Sequence, residues 1–98
     1  MEINHVLSVE VLRDGGSLVV SFQSDDSCEY WLMFPIESFD LKSPVFKEPV
    51  LVNRTTSIEV GLSYNSAQAW LNRLATFIVE PEQKKVLSKM QGIVNENT

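Results

Sequence analysis

A chain of 98 residues with 44% hydrophobic and 21% charged side chains is expected to form one domain, 1–98, around one core; that composition excludes a disordered chain and that length a second domain. The single cysteine, Cys28, excludes an intramolecular disulfide, and no apolar run approaches the roughly 18 residues of a membrane span. The net charge of −5 is lopsided: residues 1–40 carry eight acids against one base, Arg13, whereas residues 41–98 carry seven bases against five acids.

The acidic half disfavours nucleic acid and anionic membranes, where Lys and Arg supply most of the affinity, and favours a basic protein partner. The N-terminal stretch MEINHVLSVEVLRD places Glu2 ahead of any basic residue and has no apolar segment followed by a cleavage site, which predicts a cytoplasmic protein.

In chain order, Leu7, Val9 and Val11 alternate, Asp14-Gly15-Gly16-Ser17 supplies turn residues, and Leu18, Val20 and Phe22 alternate again, which predicts a β-hairpin. A two-residue Gly15-Gly16 loop sets Val11 opposite Val20 and Val9 opposite Phe22. Ser24-Asp25-Asp26-Ser27 is a second turn, leading into a third strand from Ser27 to Phe34. That strand carries large apolar residues at both parities. If Cys28, Tyr30, Leu32 and Phe34 share a face with Val20 and Phe22, then Glu29, Trp31 and Met33 share the other with Glu10, Leu12, Val19, Ser21 and Gln23.

From Ile36 to Pro49 neither period holds, and Pro44 and Pro49 argue against a central strand, so this stretch reads as a long connection tucked in by Phe39 and Phe46. Strands follow near Val50–Val52 and Ile58–Leu62. Asn65 and Gln68 resemble a capping box for a helix over 66–76, with Ala67, Trp70, Leu71 and Leu74 on one face. Residues 74–79 suit a strand as well as a helix end. Pro81 opens a last helix whose stripe is Val86, Leu87, Met90, Ile93 and Val94.

The fold class is therefore α+β: an antiparallel sheet of about five strands, beginning as an N-terminal β-meander, followed by two C-terminal helices packed on the Leu7, Val9, Val11, Tyr30, Leu32 and Phe34 face.

No catalytic, metal-binding or phosphate-binding motif is present, and neither a metal nor a cofactor is expected. His5 and Cys28 could form a nucleophile–base pair, both having core parity, but a strand between them separates their backbones by about 10 Å. Asp25, Asp26 and Glu29 lack EF-hand spacing and read as a solvated turn. The functional signal is the second sheet face, because Trp and Met are enriched where proteins meet; the equal alternative is that the helices or the Ile36–Pro49 crossover cover this face and make it a second small core. The chain reads as a small acidic non-catalytic protein-binding domain, of the inhibitor or immunity type, with Asp25, Asp26, Glu29, Tyr30, Trp31 and Met33 contacting a basic protein. The alternative is a structural homo-oligomer, a homodimer at its simplest, paired through the Trp31/Met33 face or a sheet edge.

Overall fold

The structure, a computed structural model, describes residues 2–12, 16–38 and 45–97. Five strands, β1 (Ile3–Val11), β2 (Leu18–Ser24), β3 (Glu29–Phe34), β6 (Val50–Asn53) and β7 (Ile58–Gly61), form an antiparallel sheet in the order β1-β2-β3-β6-β7. Between β3 and β6, β4 (Ile36–Ser38) pairs with β5 (Val45–Phe46) as a separate two-stranded ribbon. Two helices, α1 (Tyr64–Ala75) and α2 (Pro81–Glu96), complete an α+β fold.

Beside its turn, from Ser8 to Val11, the first hairpin keeps the expected parity but not the expected register. Leu12 N–H donates to Ser17 O at 2.8 Å and Gly16 N–H to Leu12 O at 2.8 Å, with Gly16 at φ 73°; Gly15 of the expected two-residue loop lies outside the described residues. Val11 then faces Leu18, and Val9 faces Val20. A shift of two residues leaves every side chain on its own face, so hydrophobic alternation cannot detect it.

Register shifts between Ile3 and His5, and between Val6 and Ser8, leave Asn4 and Leu7 without a facing residue on β2. Each bulge re-phases the strand, so Ile3, Val6 and Val9 face the core. Leu7, expected in the core, is 45% exposed, and Val11, near the strand's end, is 43% exposed.

The β2–β3 pairing keeps the expected sharing of faces and adds the register: Phe22 faces Tyr30, Val20 faces Leu32 and Leu18 faces Phe34. Helices and sheet meet at Phe22, whose ring stacks on Tyr30 at 5.7 Å and tilts against Trp70 at 5.4 Å. Around it Leu18, Val20, Leu32 and Phe34 pack against Ala67, Leu71 and Leu74 of α1 and Leu87, Met90 and Val94 of α2. Full burial of such side chains contributes about 1.5–3 kcal/mol each.

The supposed connection over 36–49 contains the β4–β5 ribbon, whose Phe46 packs on the core while Lys47 N–H bonds Pro35 O at 2.7 Å. Phe39 lies outside the described residues. A ribbon with two paired positions is too short for a period to register.

The cap of α1 is Ser63, whose Oγ accepts from Ser66 N–H at 3.1 Å, and the helix starts at Tyr64, so Asn65 lies within its first turn rather than before it. After Ala75 the chain turns instead of continuing as a strand, burying Ile78 and leaving Phe77 and Val79 exposed. Pro81 then opens α2, as expected.

Candidate functional site

Both helices pack on the Phe22 side of the sheet, so among the described residues the other side carries no helix. Sheet register arranges this helix-free face in rows. One runs Ser8, Ser21, Trp31, Val52, Glu59 and the next Glu10, Val19, Met33, Val50, Gly61. Val19 and Val52 are buried, and Trp31 and Met33 rest half-buried between them. Around this apolar strip stand Glu10 and Glu59, both exposed, and Glu29, half-buried. The Arg54 guanidinium lies 4.2 Å from the centroid of the Trp31 ring, within the range of a cation–π contact.

The residues singled out from the sequence divide between the two faces. Glu29, Trp31 and Met33 lie together on the helix-free side, whereas Tyr30 pairs with Phe22 on the helix side. Asp26 turns toward Tyr30. Its carboxylate accepts from the Ser24 hydroxyl, from Cys28 N–H at 2.9 Å and from Tyr30 OH at 2.7 Å. Those three donors, Ser24 foremost, hold the Asp26 carboxyl down at about 2 against an ordinary 3.8. The same bond, with desolvation, pushes Tyr30 up to about 12. Asp25 is exposed, and its N–H bonds Glu2 O at 2.9 Å.

The Tyr30 oxygen also accepts from Asn53 Nδ2 at 3.3 Å, and Asn53 Oδ1 accepts from Thr55 N–H at 2.9 Å and Thr56 N–H at 3.1 Å. Glu29 N–H donates to Thr55 Oγ1 at 3.2 Å, and Arg54 N–H to Glu29 O at 2.8 Å. Asp26 and Tyr30 thus belong to a polar clamp joining the β2–β3 turn to the β6–β7 turn. The bond from Arg54 N–H to Glu29 O holds the chain at Arg54 against β3, from where its guanidinium reaches Trp31.

The first bulge turns His5 opposite Gln23, onto the helix-free face, which corrects its expected core parity. Among the described residues no group of three His, Cys, Asp or Glu side chains is placed to hold a metal ion, and no helix is long and apolar enough to cross a membrane.

Sequence reasoning missed Arg54 and Val52. Strand alternation predicts which residues share a face within a meander but is silent on pairing across a long connection, which is how Val52 comes beside Trp31. No signal in the sequence points Arg54 at Trp31.

No protein-family model matches the chain, and no curated protein or solved structure matches it.

Proposed function

We propose that this chain is a non-catalytic protein-binding domain that engages a basic protein partner through the helix-free sheet face. The observation that carries this reading is the bedding of Trp31 and Met33 on buried Val19 and Val52, inside a rim of Glu10, Glu29 and Glu59. An aromatic anchor within a charged rim is the anatomy of an interface, the anchor setting the dissociation rate and the rim steering the encounter. Exposed Asp25 extends the negative field, while Asp26 and Tyr30 hold the turn in place. Inhibition of a basic nuclease or toxin is one form such binding takes.

The test is capture of partners by the tagged chain from its native lysate at low and high salt, repeated with Trp31→Ala and with Glu10, Glu29 and Glu59 each changed to Gln. A basic protein released by salt is the expected result. Trp31→Ala then weakens binding by about 2–4 kcal/mol through faster dissociation, and the Gln variants slow association and flatten its salt dependence. Equal retention of that protein by the Trp31→Ala chain removes the helix-free face as the binding surface.

A further inference from the structure

The two edges of the sheet are built differently. β1 is interrupted by two bulges, which twist an edge away from new partners. β7, at the opposite edge, pairs with β6 without a register shift, and no Lys or Pro lies within Ile58–Gly61. Its Ile58 and Val60 are 61% and 53% exposed, on the helix side of the sheet, away from the Trp31 face. Among the described residues no strand lies beyond it.

The phase of hydrogen bonding at this edge follows from one bond. Leu62 N–H donates to Pro49 O at 2.9 Å, so antiparallel alternation turns the polar backbone of Val60 and Ile58 toward β6. The N–H and C=O groups of Glu59 and Gly61 face outward.

We infer that β7 pairs antiparallel with β7 of a second copy of this chain, about a two-fold axis at Val60. Self-complementarity names the occupant. With the axis at Val60, the outward groups of Glu59 meet those of Gly61, Val60 meets Val60, and Ile58 meets Leu62 in a continuous apolar row. Each Glu59 then lies over a glycine, and a Cβ built on Gly61 has nothing within 4 Å, so the carboxylate stem has room. Moving the axis one residue, to Glu59, brings two carboxylates face to face, a like-charge pair that is destabilising. The joined edges make one continuous sheet, with the Trp31 face of each copy left uncovered.

Sedimentation velocity of the full chain from about 10 μM to about 1 mM tests the pairing. A concentration-dependent dimer is expected, and Val60→Lys, which sets two ammonium groups on the axis, raises its dissociation constant about tenfold or more. A chain that stays monomeric throughout overturns the inference, as does a dimer indifferent to Val60→Lys. The register is read separately in a Cys28→Ser background under air. Residues on the axis are about 4.5 Å apart at Cα, within disulfide reach, so Val60→Cys cross-links and Glu59→Cys does not. Faster cross-linking by Glu59→Cys overturns the register.

Discussion

At the residue scale the most consequential group is the Asp26 carboxylate. Its folded value of about 2 lies below the 3.8 of the unfolded chain, so its stabilising contribution is complete above pH 3.8 and is lost as pH falls toward 2. Tyr30 has the opposite sense. Raised from 10 to about 12, it favours the folded state below pH 10 and loses that contribution as pH rises through 12. Urea midpoints between pH 7 and pH 2 are expected to fall more for the unaltered chain than for Asp26→Asn, the two converging in acid; parallel curves count against a structural carboxylate. Tyr30→Phe is expected to remove the alkaline loss and to let the Asp26 carboxyl rise toward its ordinary value, which NMR titration reads directly. The acidic turn was legible as a turn from Asp and Ser alone, but its inward bonding was not. Whether an aspartate faces solvent or a tyrosine four residues on depends on the turn's backbone, here with Ser27 at φ 66°.

At the element scale the helices offer one sharp contrast and one stabilising change. Ser63→Ala removes the α1 cap and is expected to cost about 1 kcal/mol, whereas Asn65→Ala, within the first turn, stays within about 0.5 kcal/mol in chemical denaturation. Gly92 sits inside α2 with open space at its Cβ, so Gly92→Ala is expected to stabilise by about 0.5–1 kcal/mol. Element types were written in the sequence wherever a period ran long enough: the three strands of the meander, the α1 stripe from Ala67 to Leu74, and Pro81 opening α2. The bulges at Asn4 and Leu7 were not, because an apolar residue at a bulge looks like any other member of an alternating strand. Leu7 therefore reads as core and is found exposed, while Val6, in place of the expected Val9, lies opposite Phe22.

At the scale of the whole molecule, the two tryptophans report on different faces. Phe22→Ala, which empties the contact with Trp70 and Tyr30, is expected to cost about 3–5 kcal/mol. Trp31→Ala is expected to cost well under that range, since its ring is only half-buried and lies against the Arg54 guanidinium. A melting temperature that drops as far for Trp31→Ala as for Phe22→Ala makes Trp31 a core residue and removes it from the binding surface. That Trp31 and Met33 share a face was legible from alternation, but the depth of their bed was not, because it is set by Val52 arriving through β6. The same topology has a consequence in time. The meander of β1, β2 and β3 is hydrogen-bonded from the first third of the chain, yet the layer that covers its Phe22 side comes from the last third, with α2 lying against β1 and β2. At about 5–20 residues per second of synthesis, Phe22, Leu32 and Phe34 wait several seconds for their cover, and a nascent chain in that interval presents the apolar surface that chaperones recognise.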